Sequence, residues 1–418
     1  MKIALTIPTG RPRVKEVVRA FIENAIQHGH DSKDFSIYLS IDTEYQNTCE
    51  EDFYLDKETL DKIRKVEYIT EEKRKILGNA IKKRFNVPNS LIDKFFVGNG
   101  YSKQRNASLL FALIDKNDFA ICFDDDEAPF IPVKKTDGSI EWTNLDFFGP
   151  HIRALSSGTD VTRGPCLGYL SPIPSDFEKN IPKEIRKKLG QALQYGNDVI
   201  TKNSFLNLMS KIRYLDENDA DKESFVVKEG KHGKHIYAGN MGINLDSFKK
   251  GRIPLFYTPP NARGEDTIFA LQLADLEVKE VNSFIFHDPF CLYPQILDGD
   301  FPEFLMSIPV TSETKERFAD ALIGWLKYAP ILIHMTSKTE KEKNQRLNEM
   351  LSQIGSPTQQ LADILECSKI SSCERVLFDY SKNAKNHFMD LDSLQKTWKK
   401  NFSTKELSKL IVPSNDSI

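Results

Sequence analysis

The first 126 residues alternate between short apolar runs and longer segments whose apolar residues recur at helical spacing. The apolar runs predict strands, and the longer segments predict helices. In chain order the prediction is strand 2–8, helix 13–29, strands 35–42 and 65–70, helices 71–85 and 103–117, and strand 118–126. This order is typical of an α/β fold with a mixed, mainly parallel sheet covered by helices, whose ligands bind beyond the carboxyl ends of the strands.

The pattern between residues 128 and 300 is less regular, with short apolar runs separated by Pro and Gly. Its predicted elements are an Asp-Gly hairpin at 137–138, turns across 162–175, helices across 183–216, strand, turn and strand across 235–248, a helix from Glu265 and a strand across 277–290. We interpret residues 1–300 as one domain, with a first part at 1–127 and a second at 128–300.

Residues 301–418 change to a helical pattern with charged faces, and nothing in them indicates catalysis. We predict that they form an α-helical C-terminal extension. The segment 318–333 is amphipathic, which suits dimerisation, binding of an acceptor carrier, contact with a membrane surface or packing against the first domain. Packing against the first domain is the preferred interpretation, and the oligomeric state stays open.

Composition narrows the functional class. The chain has 418 residues, a net charge of −3, 40% hydrophobic and 28% charged residues, as in ordinary globular proteins. No global basic field indicates nucleic-acid binding. The six cysteines lack paired or zinc-type spacing, which favours a reducing compartment, and we expect a cytoplasmic protein. No run approaches the ~18 apolar residues of a transmembrane span, although peripheral membrane contact stays open.

Three consecutive aspartates, Asp124 to Asp126, end the predicted strand 118–126. Carboxylates at this spacing repel one another and raise one another's pKa unless a cation or several donors neutralise them. Mg²⁺ and Mn²⁺ prefer such oxygen ligands and commonly join one or two carboxylates to a substrate's phosphates. A solvated acidic turn is the competing interpretation. The register is also open, because Asp125 and Glu127 could replace their neighbours as ligands.

The order of the remaining motifs adds context to the aspartates. In chain order they are TIPTGRPR, SID, SKQRNASL, FDDD, AGNMGI, RGEDTIF and FHDPF. Together they resemble the nucleotide-sugar-dependent glycosyltransferases of the GT-A fold, in particular the family 2-like group. The resemblance covers about residues 1–295 and lies in the order and spacing of the set. It implies a glycosyltransferase with a GT-A catalytic domain at 1–300, whose nucleotide-binding part is 1–127 and whose acceptor-side part is 128–300.

The resemblance also implies a donor site at the strand ends. Pro8, Thr9 and Asp42 resemble the wall that binds base and ribose, although ordinary turn chemistry also explains them. Arg105 resembles the cation near the nucleotide, with a surface ion pair as the competing interpretation. The residues that the resemblance assigns to the nucleotide sugar are Pro8, Thr9, Arg11, Asp42, Arg105, Asp124 and Asp125.

A metal site and an acceptor side are implied in the same way. Asp126 resembles the direct ligand of Mn²⁺ or Mg²⁺, Asp124 a ribose or water-mediated metal contact, and His287 the late histidine that completes the metal shell. Asp266 resembles the base of an inverting reaction, with Glu265 orienting the acceptor or its loop, although the helix dipole alone favours acids there. The acceptor side would comprise Gly239, Asn240 and Met241, which a tight turn between strands also explains.

The expected reaction transfers a sugar from a nucleotide-diphosphate sugar, by default a UDP-sugar, to a hydroxyl of a saccharide or glycoconjugate acceptor. A retaining enzyme of the same fold stays open because the segment 128–235 is longer than a compact family 2 core. A nucleotidyltransferase is a second alternative, disfavoured by the lack of a Gly-rich loop after the first strand. A non-catalytic nucleotide-sugar-binding protein is a third.

Overall fold

The computed structural model describes residues 1–402, apart from 170–172, 175, 198–204, 206–210, 218–223 and 229–232. The strands are β1 Ile3–Thr9, β2 Phe35–Ile41, β3 Lys65–Ile69, β4 Phe119–Cys122, β5 Glu127–Ala128, β6 Phe130–Lys134, β7 Ile140–Asn144, β8 Val161–Arg163, β9 Cys166–Tyr169, β10 Ile212–Arg213, β11 Leu215–Asp216, β12 Phe225–Val226, β13 Met241–Asn244, β14 Val278–Glu280 and β15 Ile285–His287.

The α-helices divide into a group within the first 300 residues and three long C-terminal helices. They are α1 Val14–Gln27, α2 Lys57–Lys62, α3 Glu71–Phe85, α4 Asn89–Phe95, α5 Tyr101–Ile114, α6 Phe148–Ser156, α7 Phe177–Asn180, α8 Lys183–Leu193, α9 Leu245–Lys249, α10 Glu265–Ala270, α11 Ser312–Thr336, α12 Glu340–Leu365 and α13 Cys373–Thr397. Short 3₁₀ helices and one π-helical turn, Trp398–Phe402, complete the described elements.

The main sheet has eight strands in the order β12-β14-β8-β13-β4-β1-β2-β3. Strand β1 lies between β2 and β4 and runs parallel to both, whereas β13 runs antiparallel to β4. Every residue of β1 and β2 is buried, as expected for parallel strands with both faces covered by helices. The structure confirms the predicted α/β class with a mixed, mainly parallel sheet.

Two smaller sheets lie beside the main one. In the first, β15 pairs in parallel with β9 and antiparallel with β5, which sets His287 opposite Glu127. In the second, β6 and β7 form an antiparallel hairpin, and its turn contains Gly138 in the left-handed region at φ +90°. The predicted Asp-Gly hairpin is confirmed.

Several predictions for the second part of the domain need correction. Residues 235–248 contain β13 and helix α9 rather than two strands, because Asn244 caps a helix through hydrogen bonds from Asp246 N and Ser247 N. Residues 277–290 form β14 and β15, which belong to different sheets. The Pro- and Gly-rich segment 162–175 contributes to strands β8 and β9 as well as turns. In the predicted helical region 183–216, α8 covers 183–193, residues 198–204 and 206–210 lie outside the described residues, and the end of the region forms strands β10 and β11 rather than a helix.

The C-terminal helices share a hydrophobic core with the first domain. Leu391, Leu394 and Trp398 belong to the same buried cluster as Phe248 and Ile253. This arrangement agrees with packing, the preferred interpretation of the extension. Within the part of the chain that the structure describes, no helix combines the length and the apolar character needed to cross a membrane. All six cysteines are free thiols.

Replacing Trp398 with alanine is expected to lower the free energy of unfolding by about 3–5 kcal/mol, because it leaves a cavity in a closed core. The indole is fully buried beside the ring of Phe248, and its N–H donates to Ile253 O at 2.9 Å. Urea denaturation of both proteins measures the loss. As a control, Phe378→Ala on the exposed side of α13, where the ring is 47% accessible, should change it by less than about 1 kcal/mol. Equal losses in the two variants would contradict the shared core.

Candidate active site

The carboxyl ends of three parallel strands, β4, β1 and β2, meet at one edge of the main sheet. Asp42 follows β2, and its backbone N–H donates to Thr9 O at the end of β1 at 2.8 Å. The acidic residues follow β4, and Phe123 N donates to Thr6 O. The motifs that follow β1, β2 and β4 therefore lie together at this edge of the sheet.

The central aspartate, Asp125, is tied to the turn after β1. Its carboxylate accepts hydrogen bonds from Thr9 Oγ1 at 2.8 Å and from Gly10 N at 3.2 Å, and it forms an ion pair with the Arg11 guanidinium. Burial raises the pKa of Asp125, although Arg11 and these hydrogen bonds favour its ionised form. Asp125 joins the ends of β1 and β4, and its donor-binding role stays a prediction.

Asp126 lies between Arg11 and His287. Its Oδ2 atom is 3.1 Å from Arg11 Nη1, and its Oδ1 atom is 3.6 Å from His287 Nε2. Burial opposes ionisation of Asp126, but His287 and Arg11 outweigh it and lower the pKa of this carboxyl group. The pairing of β5 with β15 brings the histidine to this position, and its role in a metal shell stays a prediction.

One guanidinium joins the acidic strand end to the Glu-Asp pair of α10. Arg105 Nη2 donates to Asp124 Oδ1 at 2.7 Å, and Arg105 Nε is 3.6 Å from Glu265 Oε1. Arg105 is buried in α5 and also donates to Ala238 O. Burial raises the pKa of Asp124 to about 6, although Arg105 favours the ionised form. Residues far apart in the sequence thus meet at Arg105.

Glu127 is a fourth acid of the site. Its Oε2 atom accepts from Asp124 N at 2.7 Å, whereas its Oε1 atom is buried and has no well-aligned hydrogen-bond donor among the described residues. Burial, followed by repulsion from Asp124 and Asp126, raises the pKa of Glu127 well above its ordinary value, although the nearby Tyr237 hydroxyl favours the ionised form. The sequence offered this residue only as a substitute ligand.

The site fits a hard divalent cation. Carboxylate oxygens of Asp124, Asp126 and Glu127 lie within 4.8 Å of one another. They form an all-oxygen donor set of the kind that Mg²⁺ and Mn²⁺ prefer. Within the described part of the chain, the Oε1 atom of Glu127 has no well-aligned donor of the kind that a buried acid normally has. Asp125 contacts Thr9, Gly10 and Arg11 and does not belong to this group of three acids, which favours the register in which Asp124 and Asp126 would hold the cation.

The predicted acceptor-side residues lie deeper than the sequence suggested. Asn240 is fully buried: its Nδ2 donates to Ser283 O at 2.8 Å, and its Oδ1 lies 2.9 Å from His151 Nε2. Met241 is buried in β13. Gly239 adjoins the site, since a Cβ there would overlap with Glu127 Oε1. Their acceptor role stays a prediction, and the structure shows bracing contacts.

The remaining predicted residues surround the same edge. Pro8 is buried in β1 opposite Ser40, and burial raises the pKa of Asp42. Asp266 is the second residue of α10, and its Oδ1 accepts from Thr267 N at 2.8 Å. The preceding residue of that helix, Glu265, contacts Arg105. The catalytic roles of this pair stay predictions.

Arg74 is a residue of this edge that the sequence did not indicate. It is fully buried in α3, and its Nη1 donates to Ile41 O at 3.1 Å and to Ile69 O at 3.2 Å, below the ends of β2 and β3. Burial lowers its pKa although Asp42 opposes the shift. In the sequence it is one of several charged residues of a strongly charged helix, so no pattern distinguished it from a surface arginine.

Comparison with known proteins gives only distant structural likenesses. No protein-family model matches the chain, and no curated protein matches it. S. aureus TarS 1–349 is 10% identical, with a TM-score of 0.39 over 93% of this chain and 91% of that chain. S. aureus TarS 1–349 in complex with UDP-GlcNAc is 9% identical, with a TM-score of 0.37 over 93% of this chain and 92% of that chain. A mycobacterial protein is 12% identical, with a TM-score of 0.32 over 77% of this chain and 74% of that chain. TM-scores this low carry no argument, so the fold assignment rests on the strand order itself.

Proposed function

We propose that this protein is a metal-dependent glycosyltransferase that uses a nucleotide-sugar donor. The observation that supports the proposal most is the set of contacts that Arg105 and Asp126 make with residues of the other motifs. Arg105 contacts both Asp124 and Glu265, and His287 lies 3.6 Å from Asp126. The acidic strand end, the Glu-Asp pair and His287, whose motifs resemble those of GT-A enzymes, are therefore linked by direct contacts.

A divalent cation at Asp124, Asp126 and Glu127 would neutralise the diphosphate that leaves when the sugar is transferred. The protein's own residues prepare this site. Arg11 and His287 keep Asp126 ionised, and Arg105 fixes the carboxylate of Asp124. The strand ends near Thr9 and Asp42 would receive the nucleoside.

The proposed reaction is inverting, with Asp266 accepting the proton of the acceptor hydroxyl. Glu265 would orient this part of the site through its ion pair with Arg105. By the resemblance, the donor is a UDP-sugar, and the acceptor is a hydroxyl of a saccharide or glycoconjugate. In a retaining mechanism Asp266 would only position the acceptor.

A panel of UDP-, GDP-, CMP- and dTDP-sugars, each with and without Mn²⁺, tests the proposal by thermal shift. A ligand that binds only the folded protein raises its apparent stability. We expect one nucleotide class, UDP first, to raise the melting temperature only when the metal is present, and the same donor to be consumed when a saccharide acceptor is added. No shift with any donor in the presence of metal would support the non-catalytic alternative.

The pH dependence of metal binding is a further prediction. The pKa of Asp124 is raised from 3.8 to about 6, so between these values the folded protein holds a proton that the unfolded chain has lost. Asp124 thus makes the metal-free protein less stable as pH rises from 3.8 to about 6. A metal ion competes with this proton, so we expect Mn²⁺ to raise the melting temperature at about pH 7.5 and much less at about pH 5.

Melting curves with and without Mn²⁺ at the two pH values measure this dependence. The Asp124→Asn variant is the control, because it has no proton to lose at that position. Its metal-free stability should fall less over the acidic range, and its response to Mn²⁺ should be weak at both pH values. A metal response in the unmodified protein that is equal at both pH values would contradict the prediction.

A further inference from the structure

Residues 252–264 connect α9 to α10 without regular secondary structure. The segment carries buried apolar side chains, among them Ile253, Leu255 and Phe256, so much of its backbone lies away from water. Buried backbone N–H and C=O groups need hydrogen-bond partners, and an irregular segment lacks the regular internal bonds of a helix or sheet. Because α10 begins with Glu265 and Asp266, whatever holds this segment also sets the position of that pair.

The C-terminal extension supplies partners for the first half of the segment. Trp398 Nε1 donates to Ile253 O at 2.9 Å. The side chain of Gln395 in α13 accepts from Leu255 N at 3.2 Å and donates to Leu255 O at 2.9 Å. The next residue, Phe256, is held in the same two-sided way by Asn106 of α5. The extension and the first domain thus hold adjacent residues.

At the protein surface, two residues of the extension form hydrogen bonds with the second half of the segment. The hydroxyl group of Tyr380 in α13 donates to Pro260 O, and Lys327 Nζ in α11 donates to Asn261 O at 2.9 Å. The Lys327 ammonium group also lies 5.8 Å from the centre of the Tyr380 ring. We call Tyr380 and Lys327 the surface clamp.

Close packing completes the contact next to Glu265. Gly264 adopts the left-handed conformation at φ +85°, and a Cβ there would lie 2.6 Å from the Tyr328 ring of α11. A Cβ at Gly324 of the same helix would lie 2.7 Å from Arg263 Cδ. Glycine at both positions lets α11 approach the segment more closely than any other residue would allow.

We propose that the C-terminal helices position the Glu265-Asp266 pair for transfer by holding residues 252–264, with Tyr380, Lys327 and Gln395 as positioning residues. The consequence for catalysis rests on the proposed function.

The extension also contacts residues 1–300 elsewhere, for example through Asp390 with Lys94 of α4 at 2.6 Å and through Arg346 with Tyr195 O at 2.8 Å. Five of its hydrogen bonds, however, reach the one irregular segment that ends just before the Glu265-Asp266 pair. The loss of bonds to this segment should therefore act locally.

The double variant Tyr380→Phe, Lys327→Met tests the proposal, because it removes two surface hydrogen bonds without opening the core. Hydrogen exchange is measured across the chain, and initial rates are measured with the donor found active in the nucleotide panel. We expect amide exchange at 258–268 to accelerate by about tenfold, and exchange at the acidic strand end, 119–128, to stay unchanged. We expect kcat to fall by about threefold to tenfold, with the KM for the donor unchanged within about twofold.

Lys396→Met is the matched control. It removes an exposed ion pair with Asp392 on the same helix, at 2.7 Å, and should leave both readouts as in the unmodified protein. The double variant Tyr380→Phe, Lys327→Arg keeps a cationic donor for Asn261 O, so its kcat should be higher than that of Tyr380→Phe, Lys327→Met.

Unchanged exchange at 258–268, or acceleration spread evenly over the chain, would overturn the positioning proposal. A fall in kcat matched by a rise in the donor KM would overturn its catalytic part. If the unmodified protein turns over no donor at all, the proposed function fails, and the exchange experiment still decides whether the clamp holds the segment.

Discussion

Replacing Asp126 with asparagine is expected to abolish metal-dependent binding of the nucleotide sugar and to lower transfer by at least about 10³-fold. Asparagine keeps the size of the side chain, and the backbone hydrogen bond from Asp288 N to residue 126 is unaffected. The substitution removes the acid that Arg11 and His287 hold in its ionised form, and with it one carboxylate of the proposed metal site. The loss therefore falls on the ion that would stabilise the leaving diphosphate.

Thermal shift and calorimetric titration with Mn²⁺ and the donor measure the effect on binding, and initial rates measure transfer. Asp125→Asn is the matched control, since it makes the same charge change at the next residue. The Asp125 carboxylate contacts Thr9, Gly10 and Arg11. It does not belong to the group formed by Asp124, Asp126 and Glu127. We expect this variant to lose folding stability and to keep a metal-dependent response. The reverse result, with Asp126→Asn still requiring metal for donor binding, would refute the metal assignment.

The edge of the sheet at which the acids gather was predictable from the sequence, because local patterns determine it. The apolar runs of β1, β2 and β4 are continuous, and parallel strands align their carboxyl ends. Consequently Thr9, Asp42 and Asp124 could be expected at one edge before any coordinates were known. The three adjacent aspartates also predicted that a cation or hydrogen-bond donors would lie at this edge, since their negative charge must be neutralised.

Two features of the site were beyond such patterns, because both depend on pairing between distant short segments. Strand β5 has two residues and β15 has three, too few for a recognisable period, yet their pairing places His287 opposite Glu127. Likewise, the buried position of Asn240 follows from contacts with His151 and Ser283 that lie far from it in the chain. A short Gly-Asn turn looks the same in sequence whether it faces a ligand or the core.

The irregular segment 252–264 was missed for a related reason. Its partners, Gln395 and Trp398, come from the far end of the chain, and a side chain that bonds a distant backbone leaves no periodic signal in the sequence. The helical pattern of residues 301–418 correctly predicted that the described part of the extension is α-helical. It did not predict that their faces would complete the loop before Glu265.

Replacing Asp266 with asparagine is expected to leave donor binding intact and to lower transfer by about 10²–10⁴-fold, the range associated with losing a general base. The amide side chain would keep an oxygen able to accept the hydrogen bond from Thr267 N, so the start of α10 should retain its shape. Asparagine cannot take the proton of the acceptor hydroxyl at neutral pH. The kcat should fall while the KM for the donor changes by less than about threefold, because the proposed donor site lies at Asp124 and not at Asp266.

Glu265→Gln is the comparison variant for Asp266→Asn, because it is expected to change the KM for the donor rather than kcat. Glu265 is ion-paired with Arg105, the same guanidinium that fixes Asp124, so its neutralisation should weaken donor binding and raise the KM for the donor. Initial rates over a range of donor concentrations separate the two variants, since one should lose kcat and the other affinity. If Asp266→Asn instead keeps most of its transfer rate, Asp266 is not a base, and the product's anomeric configuration, read by NMR, would decide whether a retaining mechanism operates. That outcome would leave the metal site and the donor unaffected, because neither depends on a base at position 266.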